Sequence, residues 1–156
     1  MEFDGMSAVI AGLIGGGVMV PLLHMGIAMM PDKMRMNLFK LLGTMLLLAG
    51  GAAYVLGFMI HAMMSVVFGL LHAAFFTWLG VEVGWLWGLI FGSVHWAAVG
   101  MALGMMPMMH RGIRNDEVEA PGFFAMKAGG PTAMGFLVLH LVYGILFGVI
   151  YAGMAG

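Results

Sequence analysis

One stretch of this chain occurs twice, and the repeat constrains the fold more than any other sequence feature. Residues 12–35, moved forward by 76 positions, align with residues 88–111, and ten of the 24 aligned positions are identical. Both copies are long apolar runs that end at Met-Met-Pro and then become basic. A membrane-spanning helix needs about 20 such apolar residues. The repeat therefore predicts a duplicated membrane unit.

The composition points to the same class of protein. Only 8% of the residues are charged and 63% are hydrophobic, whereas a soluble domain has about 25% charged residues. The net charge of −1 provides no basic surface of the kind that binds nucleic acid. Cysteine is absent, which excludes disulfides and thiolate metal sites. We expect one transmembrane domain over residues 1–156, surrounded by the lipid bilayer.

The apolar runs predict an all-α, polytopic membrane helical bundle with four spans, arranged as two tandem helical hairpins. We place the spans at about residues 7–30, 52–79, 83–106 and 132–155. The first repeat then covers about 7–79 and the second about 83–155. Pro21 lies inside the first span, where neighbouring helices can satisfy the carbonyl that it frees.

The run from Leu41 to Leu79 contains no charged residue over 39 positions, which is more than one span needs. An offset of 79 aligns Ala49-Gly50-Gly51 with Ala128-Gly129-Gly130, and the segment before Ala128 is polar. We therefore expect a short interfacial or re-entrant helix at about 36–48, a break at Gly50-Gly51, and then the second span. A fifth span at about 38–57 is the alternative.

All basic residues lie in two connectors: Lys33, Arg35, Lys40, Arg111, Arg114 and Lys127. The positive-inside rule places connectors 31–40 and 107–131 in the cytoplasm and both termini outside, with the protein in the cell (inner) membrane. A fifth span would separate the two basic groups. Two hairpins of the same orientation predict a pseudo-twofold axis along the membrane normal.

Five of the six histidines fall inside the predicted spans: His24, His61, His72, His95 and His140. Ionisable residues at membrane depth usually face the interior of the bundle. His61 and His140 occupy equivalent repeat positions, so the axis would bring them to equal depth on opposite sides of the centre. This arrangement suits a bis-imidazole haem b or a copper ion. The alternative is that both rings only pack and hydrogen-bond.

Small residues follow each of these two histidines at helical spacing. Ser65 and Gly69 follow His61, and Gly144 and Gly148 follow His140. They would leave room for a flat macrocycle. The alternative is a groove in which another helix packs.

Met19 and His95 align in the repeat, near the middle of their spans. Thioether and imidazole groups both bind soft metals, so Met19 and His95 complete a candidate copper set with His61 and His140. His72 and its repeat partner Tyr151 are expected near the outer interface as polar anchors. The 20 methionines suit Cu(I) or serve as flexible apolar filler.

Three patterns resemble a family of small prokaryotic four-helix membrane proteins: residues 12–17, Met29-Met30-Pro31 and His140-x3-Gly144-x3-Gly148-x2-Tyr151. The resemblance covers most of the chain and implies the same four-helix fold. No activity is assigned to that family, so the resemblance implies no functional residue.

The predicted spans contain no Asp, Glu, Lys or Arg, and no phosphate loop or HExxH motif is present. We therefore expect a non-catalytic accessory subunit of a larger membrane assembly, respiratory or metal-dependent redox in kind, rather than an enzyme. Its partners would be other membrane protein subunits or copies of itself. The alternative is a small homo-oligomeric transporter or channel for metal ions. A membrane-embedded enzyme with a metal at the histidines is a third reading.

Overall fold

The computed structural model describes residues 2–46 and 50–155, and within these residues it is helical with no strands. Two 3-10 segments, Met106–Met108 and Phe123–Ala128, lie on either side of the fifth helix. The six α-helices are α1 (Gly5–Met29), α2 (Leu38–Gly43), α3 (Gly51–Leu79), α4 (Trp85–Met105), α5 (Arg111–Arg114) and α6 (Gly130–Ala155).

Four of these helices are long and apolar enough to cross a membrane, namely α1, α3, α6 and α4 with its 3-10 extension to Met108. The predicted all-helical fold with four long apolar helices is therefore confirmed. Large apolar side chains such as Phe58, Trp78 and Met134 are exposed on these helices. Lipid acyl chains are the surroundings that suit such a surface.

The predicted break between the first two long helices is present. Residues 44–46 form a turn after α2, Gly50 has a left-handed φ of 109°, and α3 begins at Gly51. A fifth span over residues 38–57 is therefore wrong. The predicted short helix is present as α2, which is shorter than 36–48. Residues 47–49 of that prediction lie outside the described residues.

The start of α1 is capped by Asp4. Its Oδ1 accepts hydrogen bonds from the backbone N–H of Met6 at 3.0 Å and of Ser7 at 3.1 Å, and the Ser7 hydroxyl donates to Oδ2. These bonds satisfy amide groups that a helix leaves unpaired at its start. They stabilise the ionised carboxylate, so the Ser7 hydroxyl, followed by its N–H, lowers the pKa of Asp4.

The chain forms two compact units, and each unit contains a part of all four long helices. The first unit comprises Met1–Leu23, Ala62–Trp96 and Leu137–Gly156, and the second comprises His24–His61 and Ala97–Phe136. The predicted organisation as one domain with two repeats stays a prediction.

In the first unit, helices approach each other backbone to backbone at glycines. A Cβ on Gly69 of α3 would lie 3.1 Å from the Cα of Gly12 on α1. A Cβ on Gly148 of α6 would lie 3.1 Å from the Cα of Gly88 on α4. Such distances exclude any side chain at these positions, so α1 packs directly on α3 and α4 packs directly on α6.

In the second unit, the connector after α1 hydrogen-bonds to the connector between α4 and α6. The Gly112 N–H donates to the Thr44 carbonyl at 2.9 Å, and His110 Nε2 lies 2.7 Å from the Leu41 carbonyl. His110 Nδ1 accepts from the N–H of Ile113 at 3.1 Å. Because Nδ1 accepts, the proton of the neutral ring is on Nε2, which donates to Leu41.

Candidate functional site

Three histidines from three helices meet in the first unit: His72 of α3, His95 of α4 and His140 of α6. The ring centroid of His95 lies 4.8 Å from that of His140 and 5.5 Å from that of His72. All three residues are buried. We refer to them as the histidine cluster.

Aromatic rings surround the histidine cluster. Phe68 stacks on His95 with centroids 3.7 Å apart, and Phe147 lies 5.3 Å from His72. The Tyr143 ring lies 5.3 Å from His95 and 5.6 Å from His72. Its hydroxyl donates to the backbone carbonyl of Ser65 at 2.7 Å, which fixes the ring in place. The imidazoles therefore lie in a low-dielectric environment in which polar interactions are strong.

Two nitrogens of the histidine cluster lack a hydrogen-bond partner. His72 Nδ1 donates to the carbonyl of Phe68 at 2.6 Å, so Nε2 of the neutral ring carries a lone pair. His72 Nε2 and His95 Nδ1 are buried and form no hydrogen bond of ordinary length within residues 2–46 and 50–155, and the backbone of Phe91 also interacts with the His72 ring. Thr77 and Trp96 have such atoms as well. An unsatisfied buried polar group costs about 1–3 kcal/mol, and native structures contain few of them.

The described part of the chain contains no ready-made metal cage. In the described part of the chain, no group of three or more His, Asp or Glu side chains is arranged to hold a metal ion. An imidazole lone pair is a good ligand for copper. Cu(I) accepts as few as two ligands, and His95 and His140 lie side by side.

Comparisons with known proteins add no constraint. No protein-family model, curated protein or solved structure matches the chain. The resemblance to small four-helix membrane proteins therefore stays a prediction.

The predicted ligands are divided between the two units. His95 and His140 are neighbours in the first unit, where Met19 packs against the hydrophobic core. His61 belongs to the second unit, where its ring lies 6.1 Å from that of Phe39. The pairing of His61 with His140, and the copper set that includes Met19, stay predictions.

His72 is the member of the histidine cluster that sequence reasoning missed. We expected His72 and Tyr151 near the outer interface as polar anchors or partners, and their depth in the membrane stays a prediction. Both side chains are buried, and the Tyr151 hydroxyl accepts from the N–H of Asp4 at 3.0 Å. One sequence signal was available. Phe68, His72 and Phe76 follow each other at a spacing of four, which aligns them along one face of α3. An imidazole within such an aromatic stripe is typical of a packed interior position.

The small residues after the predicted ligands do not form a slot for a macrocycle. A Cβ on Gly92 would lie 3.2 Å from the Cα of Gly144, and a Cβ on Gly12 would lie 2.5 Å from the carbonyl oxygen of Ser65. The backbones of α4 and α1 thus occupy the space beside Gly144 and Ser65. The expectation of room for a haem at these residues is wrong, and the packing groove is what the structure contains.

Proposed function

We propose that the protein is a non-catalytic integral membrane subunit of a redox assembly and that its histidine cluster binds Cu(I). The observation that carries this proposal is the pair of unpartnered ring nitrogens among three buried imidazoles. His95 and His140, whose rings are adjacent, would be the two ligands, and His95 has one of the unpartnered nitrogens. Cu(I) suits the place because it is soft, bears a single charge and needs few ligands, so less charge enters the apolar interior than with a divalent ion.

The absence of acidic and basic residues from the long helices supports a binding role over catalysis. Residues 5–29, 51–79, 85–105 and 130–155 contain no Asp, Glu, Lys or Arg. Proton relays and ion pathways in membranes usually depend on such residues. Holding a Cu(I) ion needs none of them, so binding is the role that the residues fit best.

We also infer that the four long helices are two copies of one hairpin with both basic connectors in the cytoplasm. Two observations support this arrangement. The close approach of Gly12 to Gly69 recurs between Gly88 and Gly148, and the offsets are those of the sequence repeat, 76 and 79. The hydrogen bond from Gly112 to the neighbouring connector is expected if both connectors lie on one side of the membrane.

Competition for Cu(I) tests the metal proposal. The full-length protein in detergent micelles would be titrated, without oxygen and with a reductant, against a chromogenic Cu(I) chelator. We expect one Cu(I) per chain. His95→Phe should lose this binding, because Phe has a similar volume and no lone pair. His61→Phe is the matched control and should bind Cu(I) as the wild type does, with circular dichroism to verify that both variants are folded.

Two results would contradict the copper site. A wild-type chain that fails to compete for Cu(I) removes the metal altogether. If His61→Phe loses Cu(I) binding and His95→Phe keeps it, the ligands are His61 and His140, the pair predicted from the repeat.

The accessory role has a separate test. The protein tagged at one end and purified in a mild detergent from native membranes should carry other membrane subunits that have a redox spectrum. A chain that purifies only with copies of itself would contradict the accessory role and favour the homo-oligomeric transporter.

A further inference from the structure

A surface cavity of ≈ 290 Å³ in the second unit is lined by three basic side chains. Half of the six Lys and Arg residues of the chain line it, together with one carboxylate, whereas the whole chain has a net charge of −1. We refer to it as the basic cavity. Its lining residues are Asp32, Lys33, Arg35, Lys127, Ala128, Gly129 and Pro131.

The two walls of the basic cavity are joined by a buried threonine. Thr132 Oγ1 donates to the Ala128 carbonyl at 2.8 Å and accepts from the backbone N–H of Arg35 at 3.3 Å. Gly129 has a φ of 107°, and a Cβ there would lie 2.8 Å from the Lys33 carbonyl oxygen. Lys33 and Lys127, which are 94 positions apart in the sequence, are therefore held on a common framework. The backbone under the cavity is therefore built into the fold, and the three basic side chains are exposed on it.

The basic cavity lies where two apolar helices end. α1 ends at Met29 and α6 begins at Gly130, and both helices are long and apolar enough to cross a membrane. The end of a span is the level of the lipid headgroups, where basic pockets between helices bind phosphates. Exposed apolar side chains adjoin the cavity in sequence, namely Met29, Met126 and Met134.

We propose that the basic cavity binds the phosphate of an anionic phospholipid. Lys33, Arg35 and Lys127 would contact the phosphate oxygens, and the exposed methionines would contact the acyl chains. A soluble phosphate would use the cations and leave the methionines unused, which is why the observations favour a lipid. The proposal is independent of the histidine cluster, which belongs to the other unit.

Binding of three probes to the full-length protein in a neutral detergent tests the proposal. The probes are a short-chain phosphatidylglycerol, the corresponding phosphatidylcholine and inorganic phosphate, each titrated by calorimetry at low salt. We expect phosphatidylglycerol to bind about 30-fold more tightly than phosphatidylcholine, since the cations of the cavity exceed its carboxylates by two and each contributes about a five-fold gain. It should also bind more tightly than inorganic phosphate, which has no acyl chains to contact the methionines. The preference should weaken at high salt, because exposed charges are screened.

A pair of double variants assigns the binding to the basic cavity. Lys33→Gln with Lys127→Gln should weaken phosphatidylglycerol binding about 30-fold. Arg111→Gln with Arg114→Gln removes the same charge from the same end of the helices without altering the cavity lining, and should change binding less than two-fold. Thr132→Val keeps every charge but removes the bonds that join the walls. It should weaken binding as well, and circular dichroism identifies any variant that fails to fold.

Three results would overturn the proposal. Equal binding of phosphatidylglycerol and phosphatidylcholine would show that the headgroup charge is not recognised. Equal losses in the two double variants would show that only the overall surface charge matters. Inorganic phosphate that binds as tightly as phosphatidylglycerol would identify a soluble anion, and not a lipid, as the ligand.

Discussion

The interiors of the two compact units are packed by partly different contacts. In the first unit, helices meet at glycines such as Gly12 around a core that is mainly apolar. In the second unit, Gly43 and Gly57 also meet neighbouring backbone, and His110 and Thr132 add hydrogen bonds between the connectors. The first kind of contact needs long apolar helices and small residues, whereas the second depends on where individual polar atoms lie.

The two units also differ in the ligand that we propose for each, Cu(I) at the histidine cluster of the first unit and a phosphate at the basic cavity of the second. Buried nitrogens in an apolar unit suit a soft metal ion, and exposed cations at the helix ends suit a phosphate. A mutation that loosens helix packing should therefore affect the histidine cluster most. A mutation that breaks the connector hydrogen bonds should affect the basic cavity most.

The largest effect is expected where two backbones touch in the first unit. In Gly144→Ala, the new Cβ would lie 2.7 Å from the Cα of Gly92, so α4 and α6 must move apart. Overpacking of this kind costs about 1–3 kcal/mol, and the rigid backbone neighbour favours the upper end. Denaturant unfolding of the protein in micelles, followed by circular dichroism, measures the loss.

The same substitution at the end of the same helix is the control. A Cβ on Gly153 of α6 meets nothing within 4 Å. Gly153→Ala should therefore leave the free energy of unfolding unchanged or raise it by about 0.5–1 kcal/mol, because alanine favours helix more than glycine does. Equal losses in the two variants would show that the close glycine contact at Gly144 does not stabilise the first unit.

His110 is a position in the second unit where a substitution should reduce stability. Its side chain is buried and forms two hydrogen bonds. His110→Phe keeps the volume but leaves the Leu41 carbonyl without its donor and the N–H of Ile113 without its acceptor. We expect a loss of about 2 kcal/mol in the free energy of unfolding, since each unsatisfied group costs about 1–3 kcal/mol when buried and less when water reaches it. The same unfolding assay applies.

Arg111→Gln, at the next residue, is the control for His110→Phe and should change the free energy of unfolding by less than about 0.5 kcal/mol. Arg111 is exposed. A loss in His110→Phe no larger than in this control would mean that the connectors are not held by these hydrogen bonds. The contrast between the two units would then fail.

Local properties of the sequence predicted the helices well. Four apolar runs were enough to place the long helices, because hydropathy depends only on neighbouring residues, and the repeat placed the break at Gly50-Gly51 by aligning it with Gly129-Gly130. Other features have no local signal. Phe124 and Ala125 adopt left-handed φ values of 53° and 60° that neither residue type favours, so the 3-10 segment they form could not be foreseen.

The candidate site was predictable only in part, because α3 is apolar on all sides. Its sequence therefore does not indicate which face is turned inward, and the burial of His72 depends on that orientation. Their depth in the membrane predicted interior positions for His95 and His140, and both are buried. Symmetry paired them with Met19 and His61, and those pairings stay predictions. From the sequence alone, Gly144 is equally compatible with space for a cofactor and with close packing of another helix, because the position of the neighbouring helix is unknown.

The smallest predicted effect concerns the start of α1 in the first unit. Bonds from Ser7 lower the pKa of Asp4 in the folded chain, so the unfolded chain binds more protons than the folded chain as the pH falls. The stabilisation is complete above the ordinary pKa of an aspartate and is lost between about pH 5 and the folded pKa.

Asp4→Asn keeps an acceptor for the helix N–H groups but does not titrate. The difference in unfolding free energy between wild type and Asp4→Asn should therefore shrink as the pH falls through this window, and two parallel curves would show that the Asp4 cap contributes nothing through its charge.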